Sequence, residues 1–256
     1  MTLLQAIGLG ILQGITEFFP VSSSGHLVLA ESLIHLQIAS HDMQTLNVLL
    51  HAGTLLALLI AYAPVWLQLL RDPRQLPPLI VATIPGALTG LFLEEWIAMR
   101  FQSLLYVGIA FACTGIILLV GERCPHKQHR NITMRSALII GITQAIALIP
   151  GISRSGITIS AGRWMGLNRK DALDFSFLMA MPIIAGASLM SLRGIIDGTV
   201  TLPPLPVLTL AIATSFVCSL LSIMFLRSFV VRRSLGWFAP YLFALSALTI
   251  LHKFFS

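Results

Sequence analysis

Between residues 10 and 27 the chain reads GILQGITEFFPVSSSGHL, and Gln13, Glu17, Ser22, Ser23, Ser24, Gly25 and His26 interrupt an otherwise apolar run. Gln13 and Glu17 are four residues apart and share a face if the segment is helical. Side-chain oxygens on one face can hold a divalent cation, with water and phosphate filling its other positions. Equally, Glu17 can hydrogen-bond a facing helix, and spacing does not separate the two. The three serines and Gly25 offer hydroxyls and free backbone N–H groups at a helix start. Such a nest binds anions, phosphates above all, or simply caps the helix. His26, beside serines and a buried acid, is a candidate general acid or base; a lone histidine is more commonly a structural hydrogen-bonder.

A second polar break, PGISRSGIT, occupies residues 150–158. Arg154 at membrane depth needs an anionic partner, and its planar fork suits phosphate oxygens. An ion pair inside the protein, for example with Glu17, is the alternative. Ser153, Ser155 and Thr158 add donors around it. One guanidinium, one imidazole, one carboxylate and many hydroxyls suit a diphosphate better than a sugar or a neutral solute.

The elements that carry these residues must lie in a bilayer. Of 256 residues 56% are apolar and 10% charged, against about 25% charged in soluble domains. The net charge of +6 fits basic loops of a membrane protein, and no RNA- or DNA-binding module is present. Cys113, Cys124 and Cys218 match no metal or redox spacing. MTLLQAIGLG has no basic n-region, so no signal peptide is expected. Residues 2–19 read as a helix ended by Pro20, and 26–38 as a second short helix. Residues 136–149 and 156–167 form a similar pair. Full spans are expected at 45–63, 79–97 (broken near Pro85-Gly86), 104–121, 172–192 (kinked at Pro182), 206–230 and 238–255. The proline-rich stretch 61–78 reads as a turn and 122–135 as the longest loop. His35, His41 and His51 read as interfacial or packing residues, and Glu94 as a span end.

Arg and Lys cluster at 71–74, 123–135, 163–170 and 227–233. The positive-inside rule puts all four clusters on one side only if the two short-helix pairs re-enter rather than span. A shift of 131 residues lays Gly10, Ile11, Gln13, Ile15, Ser22, Ser24 and Gly25 on Gly141, Ile142, Gln144, Ile146, Ser153, Ser155 and Gly156. The expected fold is therefore an all-α polytopic membrane protein. It has six transmembrane helices plus two re-entrant helix–loop–helix hairpins in an inverted-topology repeat. The expected parts are a first half of about 1–121, a cytoplasmic loop at 122–135 and a second half of about 136–256, with both termini outside. Inverted repeats with broken helices near the midplane are also a transporter layout.

Gln13-x-x-x-Glu17 followed by FFPVSSSGH, and PGISRSGIT followed by FSFLMAMP, resemble the bacitracin-resistance-type undecaprenyl-diphosphate phosphatase family across essentially the whole chain. The family pattern has Glu or Gln at the first position, and this chain has Gln. The resemblance implies a multi-pass enzyme of the bacterial inner membrane that removes the terminal phosphate from undecaprenyl diphosphate. That recycles the lipid carrier for peptidoglycan synthesis and confers bacitracin resistance. It implies a divalent cation, Mg²⁺ or Ca²⁺, an active site open to the outer face, and functional residues at Gln13, Glu17, Ser23, His26, Ser153, Arg154 and Thr158. Arg154 is expected to clamp phosphate oxygens. Ser22, Ser24, Gly25, Ser153, Ser155 and Thr158 are expected to bind the rest, with Glu17 and Gln13 on the metal. Ser23 activated by His26 is the favoured nucleophile, and a water activated by His26 or Glu17 is the alternative. A homodimer is a further possibility. A lipid flippase or transporter of a phosphorylated substrate is the rival reading, since fold does not fix function; an anion channel is a weaker third.

Overall fold

The computed structural model describes residues 2–34, 40–123, 132–197 and 203–255. His35, Cys124, the rest of the stretch 124–131 and the side chain of His41 lie outside the described residues. Among the described residues there are eleven α-helices and no strand. They are α1 (Leu3–Thr16), α2 (Ser23–Ile34), α3 (Ser40–Ala61), α4 (Ala63–Arg71), α5 (Leu76–Phe101) and α6 (Leu104–Gly121). After the long loop come α7 (Met134–Ile146), α8 (Arg154–Trp164), α9 (Arg169–Ile196), α10 (Leu205–Arg232) and α11 (Ala239–Phe255). Among the described residues five helices are long and apolar enough to cross a membrane, and six if α3 and α4 form one bent span.

Two expectations are corrected. The stretch expected as a turn at 61–78 contains α4, bent 63° from the end of α3. Pro64 lies in its first turn, where a missing N–H costs nothing and φ is already helical. The expected break at Pro85-Gly86 does not occur, because α5 runs through it. Pro85 removes one N–H from the helix, a loss that membrane helices tolerate; one turn on, Thr89 Oγ1 donates to the Pro85 carbonyl at 2.9 Å. α9 likewise continues through Pro182.

Helix pairs pack closely where side chains are small, as membrane helices require. α1 lies along α10, α7 along α5, α3 along α10 and α6 along α11. At Gly10 and Gly14 a Cβ would stand 2.5 Å from the carbonyl oxygens of Ala211 and Ser215, and at Gly141 it would press as hard on that of Ala82. Ser215 Oγ donates to the Leu50 carbonyl at 3.0 Å, and Ser246 Oγ to that of Gly108 at 2.6 Å. Large apolar side chains such as Leu91, Phe92 and Trp96 on α5 face outward, the inverse of a water-soluble surface.

Polar contacts tie several helix ends together. Glu122, after α6, pairs with Arg169 at the start of α9 at 2.6 Å and accepts from the Leu235 N–H before α11 at 3.0 Å. Tyr62, after α3, donates to Asp174 in the first turns of α9 at 2.7 Å, and Arg227, near the end of α10, lies 4.0 Å from the same oxygen. These contacts gather the basic segments near 122, 169 and 227 at one end of the bundle.

Candidate active site

α1 ends at Thr16, and residues 17–21 turn before α2 begins at Ser23. The reversal passes through Ser22, whose φ of 70° lies in the left-handed region, where a non-glycine residue is uncommon. The side chain and carbonyl of Ser22 hold it there. Its hydroxyl accepts from the Gly151 N–H at 3.1 Å, and its carbonyl accepts from the His26 N–H at 3.2 Å. The second tip, between α7 and α8, turns at Gly151 with φ of 95°. A side chain there would be strained and would meet Ala110 Cβ at 2.6 Å. Thr114 of α6 anchors this tip, donating to the Gly151 carbonyl at 3.0 Å and accepting from the Ser153 N–H at 3.1 Å. Gly25 is needed because a Cβ would stand 2.9 Å from Gly151 Cα. The two tips touch.

Three bonds cross between them. Ser22 holds Gly151, Ser155 Oγ donates to the Phe19 carbonyl at 3.1 Å, and Arg154 Nη2 donates to Glu17 Oε1. Glu17, buried, is the hub. Its Oε2 accepts from Ser23 Oγ at 2.6 Å and from Gln13 Nε2 at 3.0 Å, and His51 Nε2 of α3 lies 3.3 Å away. Phe18 packs edge-on against Phe177 with ring centroids 5.1 Å apart, closing one side of the acid. Beside this hub lies a cavity of about 250 Å³ lined by Glu17, Ser22, Ser23, Ser24, Ser153 and Arg154. His51, Glu94 and Gln144 add polar groups, and Ala147, Leu148, Ile152, Ile183, Ile184 and Ala187 form an apolar wall.

Several expected residues make structural contacts. His26 is not in this lining. Its Nδ1 bonds the Ser22 carbonyl at 2.7 Å, and its Nε2 bonds the Tyr241 hydroxyl of α11 at 2.6 Å. Because a carbonyl only accepts, Nδ1 carries the proton; in the neutral ring Nε2 accepts from Tyr241. Thr158 Oγ1 donates to the Arg154 carbonyl and contacts Ser176 Oγ, both at 2.7 Å. Ser153 Oγ caps α8, accepting from Gly156 N–H at 3.1 Å. Gly25, Ser155 and Thr158 thus build the walls rather than line the cavity. Sequence reasoning gave no chemistry to His51, Glu94, Tyr241 or Gln144. Only Gln144 carried a signal, as the repeat partner of Gln13.

For a hard divalent cation, Glu17 supplies an ionised oxygen and Ser23 a hydroxyl. The Gln13 side-chain oxygen is buried without a hydrogen-bond partner among the described residues. Oxygen donors of this kind suit Mg²⁺ or Ca²⁺. Among the described residues no three His, Cys, Asp or Glu cluster into a ligand set, so such an ion would take most of its ligands from water and phosphate.

Residues 6–248 match the family described as bacitracin resistance protein BacA. The undecaprenyl-diphosphatase of Pelotomaculum thermopropionicum is 39% identical over 252 residues, covering 94% of this chain and 93% of that protein. That of Rhodopirellula baltica is 35% identical, covering 97% of each chain. Undecaprenyl-diphosphatase 1 of Shouchella clausii is 32% identical, covering 99% of this chain and 97% of its own.

Proposed function

The chain belongs to the bacitracin resistance protein BacA family, and from that premise we infer that it is a membrane phosphatase acting on undecaprenyl diphosphate. It releases inorganic phosphate and returns undecaprenyl phosphate to the bilayer. The observation that carries this reading is the junction of the two tips, which sets Glu17, Ser23 and Arg154 around one cavity. At about 250 Å³ the cavity is smaller than a drug-sized site of about 300–1,000 Å³. It suits a diphosphate, with the prenyl tail outside it, leaving past the apolar wall.

Catalysis here is positioning and charge neutralisation. Arg154 exchanges part of its bond to Glu17 for phosphate oxygens, and the free N–H groups opening α2 and α8 face the same anion. Ser23 Oγ attacks the terminal phosphorus as the bridging P–O bond breaks and undecaprenyl phosphate leaves. Glu17, already hydrogen-bonded to Ser23, takes the hydroxyl proton. We give the base's role to Glu17 rather than to His26, because His26 bonds the Ser22 carbonyl and the Tyr241 hydroxyl and so supports the turn that presents Ser23. Glu17 and Gln13 would hold the divalent cation, which supplies charge neutralisation on the diphosphate when bound.

We read the two halves as inverted copies. The exchange of α1 and α5 with α7 and α10 carries the α1–α10 pair onto α7–α5, which supports this. The basic segments gathered at one end support a cytoplasmic assignment for that end, with the cavity opening to the outer face and both termini outside.

The test is phosphate release by the purified chain in detergent micelles, where transport cannot be scored. The expected result is one phosphate and one undecaprenyl phosphate per substrate. Translocation in vesicles without any phosphate release in micelles would favour the flippase reading.

A further inference from the structure

Gln144 lies near the end of α7 at the position that the repeat matches to Gln13. It is 3% exposed and lines the cavity with Glu17, Ser23 and Arg154. Neither its amide nitrogen nor its amide oxygen has a hydrogen-bond partner among the described residues. Buried polar groups are almost always paired, so a ligand must complete this one. α5 leaves room for it. A Cβ at Gly86 would stand 3.0 Å from Gln144 Nε2 and 3.3 Å from its Cγ.

The chemistry of the amide selects the ligand. Nε2 needs an acceptor and Oε1 needs a donor. Ionised phosphate oxygens only accept, and Arg154 with the helix N–H groups already serves them. Glu17 also only accepts. Water both donates and accepts. We propose that Gln144 is a catalytic residue that holds the hydrolytic water. This rests on the phosphatase reading above. The water oxygen bonds to the phosphorus of the phosphoseryl group as the bond from phosphorus to Ser23 Oγ breaks. The serine oxygen takes back the proton stored on Glu17, and the proton shed by the water passes to Glu17 and then to solvent. Gln144 stays neutral throughout. Its work is orientation, as a glutamine does for the attacking water in some nucleotide hydrolases.

The experiment uses the purified full chain and undecaprenyl diphosphate labelled at its terminal phosphate. In Gln144→Ala we expect turnover to fall roughly tenfold or more while kcat/KM stays within about twofold and KM falls with turnover, because the serine step that sets kcat/KM keeps its contacts. Acid-stable label on Ser23 should rise at steady state, since only the water step is slowed. Gly86→Ala, whose Cβ would press on the flexible end of Ile183 at 2.7 Å and on the amide at 3.0 Å without removing either, should shift both readouts the same way by less; it carries the test if Gln144→Ala does not yield folded protein. Unchanged turnover, a raised KM at constant kcat, or no added label on Ser23 would overturn the assignment. Wild-type protein that releases no phosphate would instead remove the reading beneath it.

Discussion

At the residue scale, one serine ties the two halves of the site together. Ser22 adopts a left-handed backbone and its hydroxyl satisfies the Gly151 N–H of the opposite tip. Ser22→Ala leaves that N–H buried and unpaired, which costs about 1–3 kcal/mol. The measurement is the thermal midpoint of the purified protein, which should fall, with phosphate release falling further because the tips separate. The nucleophile belongs to the same scale. Ser23 donates to Glu17 at 2.6 Å, so single-turnover acid quenching should trap label on Ser23, and Ser23→Ala should abolish it. An unlabelled wild-type chain that still turns over points to direct attack by water.

Much of this was legible in the residues themselves. Glu17, the serines and Arg154 stand out because polar groups are costly in an apolar run, and that cost is written locally. His51 and Tyr241 were not legible, because their contacts depend on how α3 and α11 pack against the tips, over separations of 34 and 215 residues. Nothing in the spacing around either one marks it. Gln144 was visible through the repeat, but only the cavity, where its amide has no partner among the described residues, suggests a role for it.

At the element scale, close helix approach holds the tips in place. Gly14 lets α1 meet α10, and a Cβ there would stand 2.5 Å from the Ser215 carbonyl and 2.7 Å from Cys218 Cβ. Gly14→Val should therefore destabilise by about 1–3 kcal/mol through overpacking. Gly8, on the same helix, faces open space, and a Cβ there would meet nothing within 4 Å. Gly8→Ala should be neutral or stabilise by up to about 1 kcal/mol. Comparing the two thermal midpoints checks the packing, and equal effects would contradict it. The helices themselves followed from composition, whereas α4 and the unbroken α5 did not. Proline reads as a break in a sequence, yet it fits a helix's first turn, and a long helix in lipid tolerates the one N–H it lacks.

At the scale of the whole molecule, a bundle with a lipid-facing exterior holds a small cavity with an apolar wall and a charged hub, and the charge balance there is uneven. Glu17 already answers Arg154, so a diphosphate brings more negative charge than one guanidinium neutralises. The divalent cation proposed above would account for the difference. Thorough chelation should therefore stop phosphate release, and adding Mg²⁺ or Ca²⁺ should restore it. Full activity in chelator would show that no cation is needed.

The decisive comparison is phosphate release from undecaprenyl diphosphate by Glu17→Gln and Arg154→Ala, each from the opposite tip, beside wild type. Removing one such group from a water-poor site costs about 10²–10³ in turnover. Losses of at least that size are expected in both variants, with each protein still folded in detergent. Near-normal turnover in either one would mean that the two tips do not form a single site.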